Sequence, residues 1–261
     1  MNRPIGQDTS RKPAAGLGRM DQLTLRPGNL DEAARTGRVT PGPLSLTGPV
    51  LWELVPEAWR TDVSELAAEV LDAGEQQRAA AFRFPEDRMT YMAAHVGLRL
   101  LLGAYMNRPP GSVPLERRPC LDCGGPHGRP AVPGDEVHFS LSRTRGRVLL
   151  AFAQMPVGAD VERLPPASQV EPIAKTLHPE EQRELSALPA QARAAAFGRV
   201  WVRKEAFFKG LGTGLTRGLE RDYLGVLPHG AIQPPGWEIS DVTVDYGFLA
   251  AVAVQRSETA D

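Results

Sequence analysis

The chain has 261 residues, with 30 Lys+Arg against 31 Asp+Glu, five histidines and two cysteines, and a formal net charge of −1. A chain this long can bury a core without disulfide or metal staples, and its charge balance gives no general electrostatic case for nucleic acid or anionic lipid. It has no apolar run of roughly 18 residues for a bilayer span, no secretory apolar segment at its start, and cysteines too few and too close for a secreted disulfide framework. The expectation is a globular protein of the cytoplasm that binds neither nucleic acid nor membrane.

Residues 1–45 hold five prolines and six glycines and show no sustained apolar period. Such a composition reads as a disordered or loosely attached extension outside the fold. Residues 49–54 alternate as a first strand. Helices follow over 62–107: Leu66, Val70 and Leu71 mark one apolar face, and Val96, Leu98, Leu100, Leu101, Leu102 and Tyr105 mark a longer buried helix. Asn107-Arg108-Pro109-Pro110-Gly111 stops it. Residues 108–136 are loop-rich. Residues 137–142 and 148–153 read as strands joined by a basic turn, Arg143-Thr144-Arg145-Gly146-Arg147.

A strand over 157–162 then leads through Pro165-Pro166 to helices across 168–211. One of these starts at His178-Pro179-Glu180-Glu181, with Pro suited to the first turn and acids to the positive end of the helix dipole. Short strands close the chain, the last over 248–254. Strand, helices, strands thus occurs twice without a residue-level repeat. The pattern predicts an α+β protein of two similar α/β halves, 46–155 and 156–261.

Gly158-Ala159-Asp160-Val161-Glu162 places two carboxylates on one face of a strand. An isolated D-x-E is ordinarily an exposed polar face, but here an apolar stretch precedes it and Gly158 permits close backbone approach. A buried acid pair needs positive compensation. The segment Trp201-Val202-Arg203-Lys204-Glu205-Ala206-Phe207-Phe208-Lys209-Gly210 sets Glu205 and Lys209 one helical turn apart, on a helix that its aromatics draw into the core. It also holds two of the chain's four lysines, Lys204 and Lys209. Three carboxylates, Asp160, Glu162 and Glu205, suit a hard divalent cation, and Mg²⁺ held this way ordinarily also meets substrate phosphates. The nearby lysines and arginines suit polyphosphate.

At these two segments the sequence resembles the 4′-phosphopantetheinyl transferases of the single-chain, roughly duplicated type that activates surfactin synthetase. The family's G-[IV]-D-[VI]-E is similar to Gly158–Glu162, and its W-x-x-K-E-[AS]-x-x-K followed by G-x-G-L to Trp201–Lys209 and Gly212-Thr213-Gly214-Leu215, about 40 residues on. The resemblance covers residues 49–256. It implies two halves related by pseudo-twofold symmetry, an N-terminal one binding coenzyme A and a C-terminal one holding metal and catalysis. It also implies transfer of the phosphopantetheine arm of coenzyme A to a serine of an apo acyl or peptidyl carrier protein, with Mg²⁺, releasing 3′,5′-ADP. By the same resemblance Asp160, Glu162 and Glu205 hold the metal, and Glu205 and Lys209 are catalytic. Arg78, Arg88, Arg129 (in Gly128-Arg129-Pro130), Ser142, Arg143 and Lys204 hold the coenzyme. Arg143 departs from the pattern, standing where the family has His, and reads as a substitute that keeps a phosphate contact.

Two other functions match parts of the pattern. A family member that lost its chemistry and only binds coenzyme A or carrier protein would explain Arg143 but not the intact acids and Lys209. A metal-dependent nuclease usually places its lysine two residues after the second acid, unlike Glu205 and Lys209. Cys120-x2-Cys123-x3-His127 is part of a zinc pattern that needs a fourth ligand such as His138, and the plainer reading is a reduced thiol pair beside a turn. Two halves in one chain make a monomer the expectation, and the choice of carrier protein stays open.

Overall fold

The structure, a computed structural model, describes residues 25–31, 39–44, 48–59 and 63–257. In chain order its elements are β1 (Gly28–Asn29), β2 (Val50–Leu54), α1 (Val63–Val70), α2 (Ala73–Ala80), α3 (Pro85–Met106), β3 (Glu116–Arg117), β4 (Pro130–Ala131), β5 (His138–Thr144), β6 (Arg147–Ala153), β7 (Val157–Arg163), α4 (Ala167–Ala174), α5 (Pro179–Ala187), α6 (Ala190–Leu211), β8 (Trp237–Val242) and β9 (Phe248–Gln255). The architecture is mixed α/β. One sheet runs β1-β2-β6-β5 and another β7-β9-β8, and β3 pairs with β4. Leaving β1, β3 and β4 aside, β2 and β7 are each followed by helices and then two strands, and each main sheet orders its three strands first, third, second.

The apolar run 148–153 lacks alternation because β6 is buried on both faces. Val148, Leu150 and Phe152 face α3 together with Leu54 and Phe139. Leu149, Ala151 and Ala153 face the other sheet, against Val157, Ala159 and Val161 of β7 and Val252 of β9. The outer face of that second sheet, Ile239, Ala251 and Ala253, takes Ala206, Phe207 and Phe208 of α6. The layers are therefore helix, sheet, sheet, helix, with a 22-residue helix outermost on each side. Helix α3 ends on Asn107 and α6 on Gly212, both left-handed.

Two contacts set the position of the site. A Cβ on Gly158 would stand 1.9 Å from the Ala206 carbonyl oxygen and 2.3 Å from the Gly210 nitrogen, so only glycine lets α6 lie directly on β7. At the seam between sheets, β5 and β7 share no strand ladder. Serine hydroxyls of β5 join them instead: Ser140 Oγ accepts from Ala159 N at 3.0 Å and Ser142 Oγ from Val161 N at 3.2 Å.

The expectation that residues 1–45 stand outside the fold is corrected for 25–31 and 39–44. Strand β1 pairs in parallel with Trp52 and Glu53, and Thr243 N donates to Leu25 O. Leu30 is fully buried in the α3 core, and Val39 and Leu44 pack on it. Asp31 Oδ1 accepts from Trp59 Nε1 at 2.6 Å and from Val55 N at 3.1 Å. Residues anchored one at a time on surfaces made elsewhere show no apolar period, so composition alone misplaced them. The remainder of 1–45 lies outside the described residues. No helix among the described residues is long and apolar enough to cross a membrane.

Candidate active site

Strand alternation turns Gly158, Asp160 and Glu162 to the α6 side of β7, and the i, i+4 spacing turns Glu205 and Lys209 back toward them. Asp160 is buried at 1% exposure. Its Oδ1 accepts from Ser142 Oγ at 2.7 Å and from Lys209 Nζ at 2.5 Å, whereas its Oδ2 is buried without a hydrogen-bond partner. Burial, and after it the Asp160 charge, pushes the half-buried Glu162 carboxyl above the ordinary 4.5, against a Thr144 hydrogen bond and the Lys209 charge. Burial and then Asp160 likewise raise Glu205, with Lys209 opposing. Three acids thus surround one lysine, and one of their carboxylate oxygens is buried without a partner. Such a set fits a divalent cation.

Lys209 also lines a cleft of about 300 Å³ with Arg129, His95, Phe208 and Gly212. Gly212, at φ 79°, would bring a Cβ within 3.5 Å of Arg129. Burial pulls the half-buried Arg129 guanidinium below its ordinary range. His95 stacks on Tyr91 at 4.1 Å between ring centroids, and the Arg143 guanidinium lies 5.5 Å from the Tyr91 ring and 5.6 Å from Phe82. Burial pulls Arg143 down too, with the nearby Arg78 charge adding to the effect and Tyr91 opposing it. The structure therefore brings Arg78 and Arg143 into one neighbourhood. Arg145 and Arg147 pair instead with Glu86 and Asp245. Arg88 is exposed in the first turn of α3 and makes no side-chain hydrogen bond or ion pair among the described residues.

Two expectations need correction. Lys204 is fully buried, with Nζ 2.9 Å from Glu181 Oε2 and donating to the Asp222 carbonyl, so it does not reach a phosphate. Residues adjacent on a helix point about 100° apart; with Glu205 and Lys209 on β7, Lys204 faces the other side. Burial pulls its pKa down although Glu181 opposes. Glu181 also accepts from Leu224 N and His178 N. Arg203 behaves alike, clamping Asp241 at 2.8 and 2.7 Å and donating to the Leu224, Gly225 and Leu227 carbonyls. Ser142, expected as a coenzyme contact, has its hydroxyl committed to Asp160, Val161 N and Lys209. The residues that sequence reasoning missed are Glu181, which looked like a helix-start acid, and Phe82 and Tyr91, whose ring positions nothing in the local pattern reveals.

A mixed α/β fold with an acid cluster and lysine on a strand–helix contact, opening on a cleft lined by Arg129 and by residues of α3, β5 and α6, defines a class of protein built to handle phosphate groups. The chain belongs to the 4′-phosphopantetheinyl transferase superfamily. Residues 156–235 match that superfamily. The chain is 31% identical to the 4′-phosphopantetheinyl transferase HetI of Nostoc sp., over 78% of its own length and 86% of that protein's. It is 30% identical to psf-1 of Bacillus pumilus, over 55% of this chain and 60% of the other, and 30% identical to Sfp of Bacillus subtilis, over 36% and 42%. Both are likewise 4′-phosphopantetheinyl transferases by name.

Proposed function

We propose that this chain, as a monomer in the cytoplasm, transfers the 4′-phosphopantetheine group of coenzyme A to a serine of an apo acyl or peptidyl carrier protein. The observation that carries this reading is Asp160, buried against Lys209 with one oxygen unpaired, at the end of the Arg129 cleft. We further infer that residues 46–155 form a coenzyme-binding half and 156–261 a metal-binding, catalytic half, related by pseudo-twofold symmetry. The shared strand order and the two 22-residue helices support that relation.

Asp160, Glu162 and Glu205 would hold Mg²⁺, which would supply charge neutralisation on the pyrophosphate. Phosphoryl transfer depends on positioning and charge more than on covalent participation by the protein. The serine oxygen bonds to the phosphorus bearing the pantetheine arm, the bond from that phosphorus to the bridging oxygen breaks, and 3′,5′-ADP leaves. Glu205 takes the serine proton, directly or through a water; burial, which raises its proton affinity, suits it to that task. Lys209 faces both acids and cleft and neutralises phosphate oxygens. Arg129 holds the nucleotide end, and Arg78 and Arg143 hold phosphate at the α2–α3 side. Ser142 orients Asp160 and Lys209 rather than the coenzyme.

The test is mass spectrometry of several apo carrier proteins incubated with the chain, coenzyme A and Mg²⁺. One added phosphopantetheine on the carrier serine is expected. Coenzyme A binding without modification of any carrier would favour the binding-only alternative, which the intact acids and Lys209 do not favour.

A further inference from the structure

We propose that Cys120, Cys123 and His127 form a zinc site that staples the loop between β3 and β4. Their ligand atoms lie within 4.8 Å of one another, and Cys123 Sγ is 2.9 Å from His127 Nε2. Both cysteines are free thiols, Cys120 buried and Cys123 exposed. The backbone around them is shaped for sulfur. Cys120 N donates to Gly125 O and Gly124 N to Cys120 O, each at 2.8 Å, closing a tight turn on Gly124 at φ 69°. Gly125 N donates to Cys123 Sγ at 3.4 Å. A Cβ on Gly125 would stand 3.1 Å from the His127 ring and 3.3 Å from Cys123 Sγ, so that glycine leaves the cluster its space.

Two thiolates and an imidazole select a soft or borderline cation, and tetrahedral Zn²⁺ is the ordinary occupant of that set. His138 does not join the cluster of ligand atoms. The exposed side of the cluster leaves the fourth position to water. The loop needs such a staple because it has almost no core of its own: between Val113 and Ala131 only Cys120 and Gly128 are buried. The flanking strands β3 and β4 are two residues each. The same loop ends in Arg129, whose carbonyl accepts from Arg118 N at 3.0 Å.

The full chain, reduced and stripped of metal, is titrated with Co²⁺. One equivalent should produce a thiolate-to-cobalt charge-transfer band with tetrahedral visible bands, displaced by Zn²⁺. Cys123→Ser should weaken the charge-transfer band by about half, as one of two thiolates is lost, and His127→Ala should alter the visible bands. Both sites are exposed, so folding is not at stake. Asp160→Ala should leave the spectrum unchanged, which separates this metal from the one at the acid cluster and makes the outcome independent of the transferase reading. Zn²⁺-free chain should be cut by protease within 118–129 several-fold faster than the zinc-loaded chain. No charge-transfer band, or one unchanged when Cys123→Ser and His127→Ala are combined, overturns the site. Equal cleavage rates overturn the staple.

Discussion

Lys209 Nζ lies 2.5 Å from Asp160 Oδ1, joining α6 to β7 at the one place where Gly158 lets helix backbone rest on strand backbone. The pair leaves Asp160 Oδ2 buried and unpartnered, and Glu162 and Glu205 beside it with raised proton affinity. The arrangement is short of positive charge by design of its side chains, and the following predictions start from that imbalance.

With Glu162 and Glu205 shifted upward, the native state holds more protons than the unfolded chain between the unfolded and folded pKa values. Stability from these groups is therefore full below the ordinary 4.5 and is lost as pH rises through the raised folded values. Added Mg²⁺ should offset this, raising Tm more at pH 8 than at pH 5 in thermal melts. Asp160→Ala, Glu162→Ala and Glu205→Ala should each abolish carrier modification, and Lys209→Ala should lower kcat more than it raises KM for coenzyme A. Near-parental turnover in any two folded acid variants would remove the metal reading.

Ser142→Ala separates orientation from coenzyme contact. It leaves Val161 N without its acceptor and Asp160 with one donor fewer. We expect a stability loss of about 1–3 kcal/mol and a lower kcat at unchanged KM for coenzyme A. A rise in KM alone would return Ser142 to the phosphates.

Lys204→Met should strand Glu181 as an unpaired buried charge. Denaturant unfolding should show a loss of about 3–5 kcal/mol, partly recovered when Glu181→Gln is added. Steady-state kinetics on the folded fraction should give an unchanged KM for coenzyme A, since Lys204 faces away from the cleft.

Arg143→Ala should raise KM for coenzyme A by about tenfold, or about 1.4 kcal/mol. Its guanidinium, held over Phe82 and Tyr91 beside Arg78, is preplaced for phosphate. Arg143→His should recover more of the loss at pH 6 than at pH 8, because an unperturbed imidazole is charged only below about 6.5. Unchanged binding in Arg143→Ala would make the position idle.

Leu30→Ala should cost about 2–5 kcal/mol, measurable as a fall in Tm, because Leu30 is fully buried in the α3 core. Deleting residues 1–45 should lower Tm at least as much. An unchanged Tm in either would place this segment outside the fold after all.

Local pattern was enough for much of this protein. Period-two spacing put Asp160 and Glu162 on one strand face, period 3.6 put Glu205 and Lys209 on one helix face, and Gly158 announced a close approach. These are properties of neighbours in the chain, where covalent geometry dictates direction. Lys204 could not be assigned that way: one helical step from Glu205, it turns to Glu181, 23 positions back in the sequence. Ser142 looked like a ligand contact because only the meeting of β5 and β7 supplies Val161 N, Asp160 and Lys209 as partners. Residues 25–31 and 39–44 carried no period because they are anchored residue by residue on surfaces made elsewhere. Cys120, Cys123 and His127 showed a spacing, but the turn through Gly124 and Gly125 is what gathers their ligand atoms. Periodicity records which side of an element is buried, and the partner on that side is settled by how the elements pack.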